Sequence, residues 1–179
     1  GRIPDTSCEA VMSGSAKALS GLFGMTEFMF PMVLDDLTDE QAYARPRGDG
    51  GPSIAWSIGH LLNYRVFMLN RFGVEWSNPW EARFGDVPAS DGSGYPSLDD
   101  FRVAWNAVGA EFMSALDDLT EEQLGGQLED GRHEEQVLRD QVVFFAWHEG
   151  YHMGAIGQIR KELGLMGPAE RVMALRTEA

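Results

Sequence analysis

A chain of 179 residues with 44% apolar side chains, among them 5 Trp, 10 Phe and 9 Met, can bury one full core, which excludes a disordered segment or a linker. The formal charge of -14, from 28 acidic against 14 basic side chains with no local Lys/Arg cluster, argues against nucleic acid and anionic membrane as partners. A single cysteine, Cys8, cannot form an internal disulfide, no run nears the roughly 20 apolar residues of a membrane span, and the first residues lack a basic-then-apolar signal pattern, so a cytoplasmic protein is expected.

From about residue 11 to residue 34 apolar side chains recur every three or four positions: Met12, Ala16, Leu19, Leu22 or Phe23, Phe30, Val33. That spacing predicts an amphipathic helix, in which Gly21 and Gly24 lower the propensity and are expected to allow close packing. Thr38 with Gln41 three residues on predicts the capping box of a short helix. Residues 45–51 (RPRGDGG) are a loop by composition, and Pro52-Ser53 opens a second long helix that runs to Arg71 or Phe72 and stops at Gly73. Its expected buried stripe is Trp56, His60, Asn63 or Tyr64, and Phe67.

Residues 73–96 are rich in Gly, Pro, Asp and Trp and keep no period, so they read as a long crossover with one helical turn near Pro79 and Arg83. Ser97 with Asp100 is another capping box, opening a third long helix with Phe101, Trp105, Val108, Phe112 and Leu116 on one face. A crossover of this length can return the chain along a bundle, so helices two and three need not be antiparallel hairpin partners. The fourth long helix is expected from His133 or Glu134 to Gly164, with Leu138, Val142, Phe145, His148, His152, Ile156, Ile159 and Leu163 in one stripe. Residues 168–179 read as one more short helix. LDDLTDEQ at 34–41 is echoed by LDDLTEEQ at 116–123, and Ala55-Trp56 by Ala146-Trp147, each pair shortly before a core histidine, as two related helix pairs would produce. The expected fold class is all-α, one domain over residues 1–179, of the four-helix-bundle kind.

Three of the four histidines fall on apolar helical faces. His148 and His152 lie one turn apart and can aim at a common point, while His60 adds a third nitrogen from another helix. Three protein ligands with an open position suit a catalytic metal site, whereas a closed structural zinc site takes four. Core histidines held by hydrogen bonds are the competing explanation, but three converging imidazoles without an acidic neighbour on their stripe are costly to bury. The segment HEGYH at 148–152 also matches the HExxH pattern of zinc proteases, with Glu149 as base and Glu162 or Glu170 as a downstream ligand, in competition with His60.

The segments SIAWSIGHL at 53–61 and HEGYHMGAIGQIRKELG at 148–164, in this order and spacing across nearly the whole chain, resemble the DinB-like family, also called DinB/YfiT-like metalloenzymes. The resemblance implies an up-down-down-up bundle, frequent homodimers, and a nickel, zinc or iron ion held by His60, His148 and His152. Met153 stands where the family usually has a basic or small residue, and Gly154 follows as the family pattern expects. Characterised relatives include thiol-dependent S-transferases and isomerases that use bacillithiol or mycothiol. By that analogy the function is metal-dependent transfer or hydrolysis on a small molecule, with a low-molecular-weight thiol as a candidate cofactor.

Two other classes compete: a non-catalytic metal or small-ligand binding protein of the stress-related kind, and a structural dimer with vestigial histidines. Trp56, Asn63, Tyr64, Trp147 and Tyr151, near the ligand turns, are expected to line the open side as an aromatic mouth for a small organic substrate. Arg65 or Arg71 is expected to offset the acidic field for a carboxylate-bearing thiol.

Overall fold

The computed structural model describes residues 13–78, 80–132 and 136–178. Cys8, Met12, Pro79 and His133 therefore lie outside the described residues. What is described is all-helical, with a single isolated bridge between Gln127 and Val137 and no strand among the described residues. Four long helices carry the structure: α1 (Gly14–Leu34), α3 (Ile54–Arg71), α5 (Leu98–Asp117) and α7 (Leu138–Glu162). Short helices α2 (Asp39–Tyr43), α4 (Glu81–Phe84) and α6 (Glu121–Leu124) sit in the connections, and α8 (Pro168–Glu178) follows α7. No helix among the described residues is long and apolar enough to cross a membrane.

The starts of these helices follow their capping chemistry. Thr38 accepts from the Gln41 amide while the Gln41 side chain accepts from the Thr38 amide, and Thr120 and Gln123 repeat the arrangement at α6. Ser97 and Asp100 close a third such box at α5. The start of α7 differs from the expectation at His133 or Glu134. Gln136 and Val137 are drawn into backbone pairing with the segment after α6, through Leu128 N–H to the Gln136 carbonyl and Leu138 N–H to the Gly126 carbonyl. The Asp140 carboxylate then accepts from the Gln136 and Val137 amides, so the helix begins at Leu138.

The long helices pack in a ring, α3 against α5 and α7, and α1 against α5 and α7. Phe23, Phe30 and Val33 of α1, Phe101, Trp105 and Phe112 of α5, and Val142, Phe145 and Ile156 of α7 meet in the core. Leu22 is exposed, so Phe23 takes the position that periodicity left open between them. Gly21 and Gly24 make no close packing contact; a Cβ at either would meet nothing within 4 Å. On α3 Ile54, Ile58, Leu61, Leu62, Met68 and Leu69 are buried, whereas Trp56, His60, Asn63, Tyr64 and Phe67 are only half-buried. The sequence stripe on α3 thus marks the face toward the histidines, roughly opposite the face that fills the core.

Candidate metal centre

α3 and α7 pack side by side and present their histidines to each other. The Nε2 of His148 lies 3.2 Å from the Nε2 of His60 and 3.1 Å from the Nε2 of His152. One ligand atom from each ring falls within 4.8 Å of the others, so the three can hold a metal ion.

The position of His60 has a local cause one residue earlier. At Gly59 a Cβ would lie 2.5 Å from the Phe84 ring, so only glycine lets α4 settle against α3. That contact brings the Phe84 carbonyl 3.0 Å from the His60 Nδ1. The carbonyl can only accept, which places the His60 proton on Nδ1 and leaves a lone pair on Nε2. Trp56 stacks on the same ring at 4.6 Å, and Tyr64 meets it edge-on at 4.8 Å.

This tautomer decides whether the cluster can satisfy itself. If His148 Nε2 carries a proton it can serve one neighbour well and has no lone pair for the other. If it carries none, it opposes the lone pair of His60. Every neutral arrangement leaves one close nitrogen pair unpaired, whereas a cation accepts all three lone pairs. The donor set therefore fits a divalent metal. His148 and His152 have buried Nδ1 atoms with no hydrogen-bond partner among the described residues, unlike His60.

Burial lowers all three imidazole pKa values and keeps the rings neutral, as ligands must be. For His60, hydrogen bonding to the Phe84 and Gly85 backbone and the charge of Asp86 oppose the shift. Burial, with repulsion from His60 and Arg132, brings His148 to about 4; burial, with repulsion from His148 and His60, brings His152 to about 3.

The protease pattern does not survive the geometry. Glu149 is buried, and its two oxygens accept from Arg65 Nε at 2.5 Å and from Arg65 Nη2 at 2.9 Å. It is committed to that pair, without the freedom of a general base. Glu162 accepts from Arg47, and Glu170 from Lys161 and the Gly167 amide, so neither joins the histidines. Arg65 and Arg71 are also taken: Arg65 by Glu149 and Glu27, Arg71 by Asp130 at 2.6 Å. The expected role of either in binding an acidic thiol does not fit those pairings.

Beside the cluster lies a cleft of about 510 Å³, lined by Asn63, Tyr64, Phe67, Trp76, Asn78, Asp86 and Arg132 among others. Tyr64 is its shared wall, touching His60 and His148 on one side and donating from its hydroxyl to Asp86 at 3.3 Å on the other. Burial, then the Asp86 charge, raises the Tyr64 pKa. Of the five residues expected at the mouth, Asn63 and Tyr64 line this cleft and Trp56 covers His60. Trp147 and Tyr151 stack on each other at 5.6 Å on the exposed face of α7, and Tyr151 meets the His152 ring edge-on.

The Phe84 carbonyl, Asp86, Arg132 and the Arg65 ion pairs were not singled out in these roles by the sequence. Gly59 beside a core histidine, and Arg65 inside the apolar run LLNYRVFML, were the available signals.

The described residues thus form an all-helical protein in which two adjacent helices bring three histidines to one point, a candidate metal-binding helical protein. The sequence profile of the DinB superfamily matches residues 25–156, a span that holds all three histidines, and the chain belongs to that superfamily. No curated protein matches the chain.

Proposed function

We propose that this protein is a metal-dependent enzyme acting on a small molecule, with His60, His148 and His152 as the metal ligands. The observation that carries the reading is the convergence of three Nε2 atoms in an arrangement that no set of neutral tautomers satisfies. A divalent ion there, with nickel, zinc or iron as the candidates, supplies Lewis acidity that lowers the pKa of a thiol or water and polarises an electrophile. The protein's own groups orient and shield: the Phe84 carbonyl fixes the His60 tautomer, and Trp56 covers one face of that ring. The cleft behind Tyr64 has the volume for a small organic substrate, and its amides, carboxylate and guanidinium suit a polar one. Thiol-dependent S-transfer or hydrolysis is the proposed reaction, by analogy with the family.

The same proposal includes one domain over residues 1–179 in a four-helix bundle of up-down-down-up order, supported by the ring in which α1 and α3 each contact α5 and α7. It also includes a cytoplasmic homodimer, for which the exposed Val143, Phe144, Trp147 and Tyr151 of α7 offer an apolar surface.

Elemental analysis of protein purified without an immobilised-metal column tests the central part. About one ion per chain is expected in the wild type, lost in His60→Ala, His148→Ala and His152→Ala. Metal kept by His60→Ala would return the third ligand to a carboxylate, and a metal-free wild type would return the histidines to the core.

A further inference from the structure

Arg65 is 2% exposed and Glu149 3%, yet neither belongs to the proposed ligand set. Glu149 sits on α7 between His148 and His152 in sequence, and Arg65 sits on α3 five residues after His60. Their two parallel hydrogen bonds join the two ligand-bearing helices. The Arg65 guanidinium is fixed in turn by Glu27 of α1 and by the face of Trp105 of α5, 4.0 Å from the ring centroid. All four long helices thus meet at one side chain. Burial opposes the charge on Arg65, but Glu149 and then Glu27 outweigh it and raise its pKa.

Metal-bound histidines are ordinarily oriented by a hydrogen bond to the second ring nitrogen. His60 has one, from its Nδ1 to the Phe84 carbonyl. His148 and His152 have none among the described residues, so what aims them is the placement of α7 itself. A forked arginine–carboxylate pair fixes distance and angle together, as a point charge does not. Apolar packing at this contact, from Tyr64 against Phe145 for example, resists sliding less strictly than a bidentate pair.

We infer that the Arg65–Glu149 fork is the positioning device of the metal centre, locking the register of α3 against α7 so that His60 meets His148 and His152. Both are positioning residues, acting through the ligands and not on substrate. The inference rests on the three-histidine metal reading. It accounts for a glutamate inside HEGYH without a protease role: the carboxylate is outside the three-histidine group, bonded to Arg65, and holds the helix that carries two of the proposed ligands.

The experiment uses cobalt(II) as the probe, since its visible absorption reports coordination geometry as well as occupancy. Titrations would compare the full-length wild type with Glu149→Gln, Arg65→Lys and Arg160→Lys. Arg160 is the matched control: fully buried on the same helix, bonded to the Val33 and Met166 carbonyls and to Asp36, and two turns from His152. Glu149→Gln and Arg65→Lys are expected to weaken cobalt binding on the order of ten-fold and to alter the spectrum. Arg160→Lys should lower the melting temperature while leaving affinity and spectrum at wild-type values. Wild-type spectra and affinities in both fork variants would overturn the inference alone, as would equal changes in Arg160→Lys. A wild type that binds no cobalt would overturn the metal reading and this inference with it. Should Arg65→Lys fail to fold, Glu149→Gln, which keeps the shape of the side chain, decides the matter.

Discussion

The three imidazoles have a consequence for stability that can be read from their pKa values. Each is lowered by burial from the ordinary 6.5, His148 to about 4 and His152 to about 3. A lowered folded pKa means that the unfolded chain takes up the proton first. Metal-free protein therefore loses stability as pH falls below about 6.5, and goes on losing it until the folded rings titrate. Thermal melts of chelator-treated protein should show a steeper fall between about pH 7 and pH 5 for the wild type than for His152→Gln, whose side chain does not titrate. Equal slopes would contradict the assignment of buried neutral rings. Gly59 offers a second test at this scale: Gly59→Ala drives a methyl into the Phe84 ring and should cost about 1–3 kcal/mol in urea unfolding. Because Phe84 carries the carbonyl that holds His60, metal affinity should fall with it.

The histidines were legible because spacing of three and four places residues on one helical face, and four apart means one turn. Their partners were not. A backbone carbonyl has no letter in the sequence, and the Phe84 carbonyl reaches His60 across 24 residues of chain. Glu149 could be seen to fall off the metal-facing stripe, but its partner Arg65 stands 84 residues away on another helix. Only the packing of α3 on α7 brings the two together.

At the scale of elements, helix starts are legible where a Ser or Thr is followed three residues on by an Asp or Gln that completes the box. The boxes at Thr38, Ser97 and Thr120 are local, each needing residues three apart. Thr38→Ala and Thr120→Ala should each cost about 1 kcal/mol by urea unfolding, and the two should add, since they cap different helices. Costs near zero would mean that tertiary packing alone holds α2 and α6. The start of α7 differs from the expectation because Gln136 and Val137 pair with residues 126–128, a contact invisible to periodicity. On α3 the expected core stripe is only half-buried, because its large Trp, His, Tyr and Phe side chains surround the histidine cluster and the cleft. The smaller Ile58, Leu61 and Leu62 lie deeper.

At the scale of the molecule, the helical class and the order of long and short helices follow from the sequence, and the family match spans both halves of the candidate site. The cleft did not follow from it. Its wall is built from α3, the crossover and Arg132, and only the folded chain shows that Asn63 and Tyr64 share it while Trp147 and Tyr151 do not. Those two exposed aromatics bear on assembly: sedimentation should find a dimer for the wild type and a monomer for Trp147→Glu. A Trp147→Glu dimer would move the interface off α7.

X-ray absorption on protein loaded with zinc reports directly on whether His60, His148 and His152 are the ligands. Three imidazole nitrogens at roughly 2.0–2.1 Å with one further light ligand from solvent are expected. Two imidazoles with a carboxylate, or four protein ligands in a closed shell, would contradict that ligand set.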